Sequence, residues 1–167
     1  MSKKKKAVCP KHLDAILVME TPMGPVYAGA GIDKTVAPLG TVILDLADRY
    51  RSRAIQFEYF TTPVPVITPR PRIVFDWMDM DAPGLTTTEW HALLAAAFAE
   101  AKGAGLFVAC SVGHGRTGTA LAIIGCLTGA IPAMEADEDQ AGAVIESPID
   151  PVDWVRVHYC PQAVETH

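Results

Sequence analysis

The segment from Gly105 to Ile124 restricts the possible folds of this chain more than any other segment. A short apolar run leads into the sequence Cys-Ser-Val-Gly-His-Gly-Arg-Thr at 110–117, and a second apolar run follows it. This order predicts a buried strand, a tight loop and a helix that begins where the loop ends. Glycines let successive backbone N–H groups of such a loop converge on an oxyanion, and the positive end of the helix adds to the attraction. We therefore expect a phosphate-sized anion site at the carboxyl end of a strand.

Alternating strand and helix patterns along the chain predict an α/β fold with a mainly parallel central sheet, flanked by helices on both faces. A proline-rich stretch is expected to be an extended connector, and an acidic stretch to be a solvated surface segment. The predicted strands are 15–19, 24–29, 42–46, 72–75 and 106–109, of which 42–46 could also begin a helix. The predicted helices start at Thr86–Glu89, at Arg116 and at Asp150–Pro151, and end before Gly103, near Leu127 and near Tyr159. The connector is 61–72 and the acidic segment is 134–139.

Length, charge and cysteine content limit the class of protein. The chain has 167 residues and is 50% hydrophobic, which suits one domain with a buried core. Residues 1–12, with the basic run Lys3–Lys6, are expected to be a disordered tail, with weak attraction to an anionic surface as the alternative, and 13–167 are expected to form the folded domain. The net charge of -5 argues against nucleic-acid binding, and no apolar run is long enough to span a membrane. The four cysteines have no framework or metal spacing, so a reducing, cytoplasmic compartment suits them.

Cys110 and Arg116 have residue types and a spacing that suit chemistry on phosphate. A helix N-terminus and a nearby cation both favour the thiolate form of a cysteine, so Cys110 is expected to attack phosphorus. Arg116 offers a planar fork of donors that fits two phosphate oxygens, and Thr117 is positioned to hydrogen-bond the sulfur. The residues expected to surround the phosphate are Ser111, Val112, Gly113, His114, Gly115 and Arg116.

Each of these features also has an ordinary structural explanation. A cysteine at the end of a strand is often only a small buried apolar residue, and a glycine-rich segment before a helix is often only a turn. The cysteine, glycines, arginine and threonine occur here together and in the required order, which favours the anion site. His114 is interpreted as a residue at the rim of the site rather than as a catalytic base.

The stretch Cys-Ser-Val-Gly-His-Gly-Arg-Thr-Gly at 110–118 resembles the signature loop of the cysteine-dependent protein tyrosine and dual-specificity phosphatases. In that family a cysteine and an arginine are separated by five residues, and serine or threonine follows the arginine. The resemblance implies a single phosphatase-like catalytic domain over 13–167, with Cys110 as nucleophile, Arg116 as phosphate clamp and no metal or other cofactor. The family usually has histidine before the cysteine, where this chain has Ala109. A glutamine that often positions water beyond the last helix has no clear counterpart, although Gln162 lies nearby.

Asp79 is the residue that the resemblance favours as general acid. Trp-Met-Asp at 77–79 is similar to the mobile Trp-Pro-Asp loop of the same family, with methionine in place of proline. A general acid that protonates the leaving oxygen typically contributes about 10²- to 10⁴-fold to the rate. Asp76 and Asp81 are alternatives in the same segment, and an ordinary solvated carboxylate is the structural explanation of Asp79.

The resemblance implies hydrolysis of phosphomonoesters in proteins, on phosphotyrosine and also on phosphoserine and phosphothreonine. One alternative is a catalytically weak or inactive phosphate-binding pseudophosphatase. Another is a phosphatase for phosphoinositides or RNA 5′-phosphates, which use the same kind of loop. The sequence leaves the oligomeric state open.

Overall fold

The computed structural model describes residues 15–30, 37–46, 56–62, 68–74, 85–110, 113–132, 150–161 and 163. The N-terminal segment 1–12, the segment with the candidate acids Asp76, Asp79 and Asp81, and the acidic segment 134–139 lie outside these residues. The described part contains six strands and three helices. In chain order they are β1 (Ile16–Thr21), β2 (Gly24–Ala30), β3 (Val42–Asp45), β4 (Gln56–Thr62), β5 (Thr68–Val74), α1 (Thr87–Ala101), β6 (Leu106–Cys110), α2 (Gly115–Thr128) and α3 (Pro151–His158).

The strands form one mixed sheet in the order β1-β2-β6-β3-β5-β4. The four inner strands β2, β6, β3 and β5 are parallel, whereas β1 and β4 pair antiparallel at the two edges. Strand β6 lies between β2 and β3, and all five of its residues are buried. A parallel strand that is covered on both faces needs such a continuous apolar run. The prediction of an α/β fold with a mainly parallel sheet is confirmed, and 42–46 contains a strand rather than the start of a helix.

One face of the sheet shares a buried core with residues of all three described helices. Leu44 of β3 and Val108 of β6 share a buried core with Trp90 of α1, Leu121 of α2 and Val155 of α3. The strand residues of this core alternate along the chain with residues of the other face, as the pleat of a strand requires. Helices α1 and α2 contact β6 on this side of the sheet, and α3 packs against α2.

The other face of the sheet is also removed from solvent. Ile43, Phe107 and Ala109 form a second buried cluster with Ala37, and Tyr27 packs against it. None of the described helices contributes a residue to this cluster. Helix cover on this second face, as the sequence predicted it, stays a prediction for the part of the chain outside the described residues.

The boundaries of the first and last helices follow from their capping residues. The hydroxyl of Thr86 accepts the backbone N–H of Glu89 at 3.2 Å and donates to the Glu89 carboxylate at 3.1 Å. Lys102, with a φ of 49°, ends α1 in the left-handed region. At α3 the carboxylate of Asp150 accepts the N–H of Val152 at 2.9 Å, and proline occupies the first helical position. Both starts agree with the prediction.

Two prolines lie inside β5, within the segment that the sequence predicted as a connector over 61–72. The pairing of β5 with β3 begins only at Arg72. Pro69 and Pro71 are therefore paired with a strand on one side only, namely β4. Proline lacks an N–H group and is tolerated where a strand has no second neighbour. The connector prediction is wrong in its boundaries, because residues 61–62 end β4 and residues 68–72 belong to β5.

Candidate active site

Cys110 lies at the carboxyl end of the central strand β6. Its strand neighbours are Ala30, which ends β2, and Asp45, which ends β3 and pairs with Ala109. The cysteine is 3% exposed, and α2 begins at Gly115. Three parallel strands therefore end together directly before the N-terminus of a helix, which is where open α/β sheets place their ligands.

Gly113 brings a backbone donor to the cysteine. Its N–H donates to the Cys110 sulfur at 3.3 Å, and its φ of 83° lies in the left-handed region. Glycine adopts this φ without the penalty that a side chain would add. Gly113 therefore directs one backbone N–H to the sulfur. The convergence of several N–H groups on an anion stays a prediction.

Arg116 is anchored to the neighbouring strand. It is 7% exposed, and its Nη1 donates to the Leu46 carbonyl at 3.0 Å. Leu46 follows β3 directly, and its own N–H donates to the Ala109 carbonyl at 2.8 Å, so it continues the pairing with β6. A guanidinium has five N–H groups in a fixed plane, and this bond uses one of them. Arg116 is thus oriented by the carboxyl end of β3, beside the carboxyl end of β6 where Cys110 lies.

Thr117 has a fully buried side chain in the first turn of α2. Within the part of the chain that the structure describes, its hydroxyl makes no hydrogen bond. The predicted bond from Thr117 to the Cys110 sulfur is therefore not formed in this structure, and the role of Thr117 stays a prediction. A buried hydroxyl without a partner costs roughly 1 to 3 kcal/mol, and such groups need an explanation in a folded protein.

His114 and Gly115 form the junction between the loop and α2. His114 is the N-cap residue, half-buried, and its carbonyl accepts the N–H of Gly118 at 2.8 Å. Its side chain does not cap the helix. Ser111, Val112, Asp79 and Gln162 lie outside the described residues, so their places in the site stay predictions.

Tyr159 is a residue of the site that sequence reasoning missed. It follows α3, is 6% exposed, and its hydroxyl donates to the Gly113 carbonyl at 2.6 Å. Burial raises the pKa of the Tyr159 phenol, and a negative charge on Cys110 raises it further. The sequence offered a weak signal only, because Tyr159 follows Val155 by one helical turn and so continues the buried side of α3.

The cysteines of the described residues differ in their bonding. Cys110 and Cys126 are free, whereas the buried Cys160 is disulfide-bonded. Nothing in the sequence indicated this bond, because spacing along the chain does not show which residues meet in the fold. Partial burial, and secondly the negative charge of Asp150, raise the pKa of the exposed Cys126 thiol. The predicted cytoplasmic location stays a prediction.

No group of three or more His, Cys, Asp or Glu side chains in the described ranges is arranged to hold a metal ion. The helices of those ranges are all too short or too polar to cross a membrane.

The site elements give this loop a defined chemical capacity. The Cys110 sulfur receives a backbone N–H, Arg116 is fixed beside the neighbouring strand, and α2 begins immediately after them. The N-terminus of a helix carries partial positive charge, which favours a thiolate and an incoming oxyanion alike. The described geometry therefore brings a cysteine, an arginine and a helix N-terminus together at the end of the central strand.

Comparison with known proteins supports the same architecture. No protein-family model and no curated protein sequence matches this chain. Among solved structures, a protein tyrosine phosphatase of Trypanosoma cruzi is similar over 91% of this chain and 67% of its own length, with a TM-score of 0.51. The two sequences are 14% identical, so the similarity is one of fold. The chain therefore has an α/β fold that is similar to the fold of a protein tyrosine phosphatase.

Proposed function

We propose that this protein is a phosphatase that hydrolyses phosphomonoesters through a phosphocysteine formed on Cys110. The observation that carries the proposal is the hydrogen bond from the Gly113 N–H to the Cys110 sulfur, at the end of the central strand and before the N-terminus of α2. An N–H donor and a helix N-terminus both stabilise the thiolate, which is the nucleophilic form of cysteine. The fold similarity to a protein tyrosine phosphatase supports the same reading at the level of architecture.

In the proposed reaction, the Cys110 sulfur attacks phosphorus, and the ester oxygen leaves with the electron pair of the broken P–O bond. Asp79 gives a proton to that oxygen, and Arg116 holds two phosphoryl oxygens while the bonds change. Asp79 then removes a proton from water, which attacks the phosphocysteine and releases orthophosphate and the thiolate. The role of Asp79, with Asp81 as its alternative, rests on the sequence resemblance.

The proposed substrates are phosphoproteins, on phosphotyrosine and also on phosphoserine and phosphothreonine. The net charge of -5 gives the chain little attraction to anionic lipid headgroups or to RNA. A panel of phosphotyrosine and phosphothreonine peptides, a soluble phosphoinositide and a 5′-triphosphorylated RNA separates these classes. Faster turnover of the lipid or the RNA than of both peptides would replace the phosphoprotein proposal.

The mechanism is tested with p-nitrophenyl phosphate in the presence of a chelator and a mild thiol reductant. We expect turnover that orthovanadate inhibits and that Cys110→Ser abolishes. Cys126→Ser is the matched control, because Cys126 is the other free cysteine of the described residues and lies exposed on α2. It should keep the activity of the parent protein. Activity that survives Cys110→Ser, or that needs an added metal ion, would contradict the proposal.

A second candidate is a pseudophosphatase that binds a phosphorylated group without turnover. Two observations favour it: the Thr117 hydroxyl makes no bond to the sulfur among the described residues, and the buried Ala109 offers no side-chain donor before Cys110. This candidate predicts that orthophosphate protects Cys110 from iodoacetamide although p-nitrophenyl phosphate is not hydrolysed. Asp79→Ala discriminates further: in an active enzyme it slows poor leaving groups more than p-nitrophenolate, and in a binding module, which turns over neither substrate, it leaves the protection of Cys110 by orthophosphate unchanged.

A further inference from the structure

We propose that Tyr159 is a positioning residue for the loop 110–116: its hydroxyl holds Gly113 in the conformation that directs the Gly113 N–H to the Cys110 sulfur. That Cys110 is a nucleophile is part of the proposed function. The effect of the Tyr159 hydroxyl on Gly113 can be measured without catalytic turnover. The positioning role and the proposed phosphatase function can therefore be refuted separately.

The link consists of two hydrogen bonds, one on each side of Gly113. On its amino side, the N–H donates to the Cys110 sulfur at 3.3 Å. On its carboxyl side, the carbonyl accepts the Tyr159 hydroxyl at 2.6 Å, a normal length for an O–H···O bond. Both peptide groups that flank the Gly113 Cα are therefore engaged, and the rotations about that Cα are restricted from both ends.

Gly113 needs such external support because of its own chemistry. Glycine populates positive and negative φ almost equally, so the sequence alone does not select the observed φ of 83°. A different φ at this residue would turn the N–H away from the sulfur. The hydrogen bond from Tyr159, which lies in a distant part of the chain, therefore stabilises a φ for which glycine itself has no preference.

Tyr159 is itself firmly held. Its N–H donates to the Val155 carbonyl at 2.8 Å, and the N–H of Cys160 donates to the same carbonyl at 3.2 Å. Val155 is fully buried in the core that α2 and α3 share. Arg156 closes the following turn, since its Nε donates to the Ala163 carbonyl at 3.1 Å. The phenol is therefore carried on a capped and packed helix end rather than on a free loop.

The phenol also remains a donor over the pH range in which a protein of this kind is studied. Burial raises the pKa of Tyr159, and a negative charge on Cys110 adds to the rise, so the neutral form of the phenol is favoured. A phenolate would have no proton to give to the Gly113 carbonyl. The bond is consequently compatible with an ionised sulfur next to it.

Tyr159→Phe tests the inference because it keeps the ring and removes only the O–H group. We expect the Gly113 amide hydrogen, followed by residue-resolved NMR, to exchange about tenfold faster in this variant. That acceleration should be confined to the loop 110–116. Removal of a buried hydrogen bond supports a change of this order. For the active enzyme, we expect kcat/KM for p-nitrophenyl phosphate to fall about tenfold.

Tyr27→Phe is the matched control, because Tyr27 lies in β2 and packs against the cluster on the opposite face of the sheet from Cys110. It should leave Gly113 exchange and kcat/KM unchanged. Equal exchange of Gly113 in Tyr159→Phe and the parent protein would overturn the inference. So would faster exchange spread evenly over α2 and α3, since that is the result of general loosening. Faster exchange at Gly113 in a protein that shows no phosphatase activity would refute the proposed function and support the positioning role.

Discussion

Gly103 and Gly105, just before the strand that ends at Cys110, form a matched pair for testing how tightly that strand is held. Their φ values are 88° and 90°. A Cβ on Gly105 would lie 2.9 Å from the carbonyl carbon of Pro25 and closer still to its oxygen, whereas a Cβ on Gly103 would have nothing within 4 Å. Alanine at the two positions therefore imposes the same backbone strain, and only at Gly105 does it add a collision.

The magnitudes follow from these two effects. A left-handed φ costs an L-residue about 1 to 2 kcal/mol, which is the expected loss of unfolding free energy for Gly103→Ala. Gly105 cannot move away from Pro25 freely, because its carbonyl accepts the N–H of Val42 at 3.1 Å on the side of β3. Crowding of this kind adds about 1 to 3 kcal/mol. At roughly 3 °C per kcal/mol for a chain of this size, Gly105→Ala should melt about 3 to 9 °C below Gly103→Ala.

Urea and thermal unfolding of both variants, followed by circular dichroism, measure the difference. Gly129→Ala is a further reference, since Gly129 also has a positive φ, 77°, and nothing within 4 Å of its Cβ position. We expect it to behave as Gly103→Ala does. If all three variants unfold at the same midpoint, the backbone at Gly105 absorbs the added methyl group and the predicted collision with Pro25 is wrong.

Three further predictions concern single side chains. Arg116→Lys should lower kcat/KM for p-nitrophenyl phosphate by about 10- to 100-fold, because a point charge does not replace the planar fork; retained activity would remove Arg116 from the clamp role. Thr86→Ala should cost about 1 kcal/mol in urea unfolding through loss of the α1 cap, whereas the exposed Thr88→Ala in the same turn should not. Asp150→Asn keeps a good capping residue but removes a negative charge that raises the pKa of Cys126, so alkylation of Cys126 at pH 8 should become faster. An unchanged rate would show that this charge does not act on the thiol.

The elements that could be predicted from the sequence are those whose signals are local. A continuous apolar run predicted β6, and Thr86 with Glu89 predicted the start of α1, since a capping residue acts on the N–H groups of the next turn. Asp150 and Pro151 predicted the start of α3 for the same reason. In each case the residues that specify the boundary lie within one helical turn or one strand of it.

The elements that could not be predicted depend on residues that are far apart in the chain. Whether a strand accepts proline depends on where its neighbour ends, so the boundaries of β5 required knowledge of β3. The bond of Arg116 to Leu46 spans 70 residues, and the bond of Tyr159 to Gly113 spans 46. No spacing rule links such pairs, because either partner could have met many other backbone carbonyls in a different topology.

These two long-range bonds suggest why the residues of the signature segment do not specify the site by themselves. Gly113 can adopt several conformations, and Arg116 has a long side chain with many rotamers. The local sequence therefore does not determine the observed conformation of either residue. Leu46 holds the arginine from the end of β3, and Tyr159 holds the glycine from the end of α3. A chain with the same loop sequence but without these two partners would keep the reactive groups and lose their arrangement. The carboxyl end of β3 and the end of α3 are therefore as much a part of the candidate site as the cysteine.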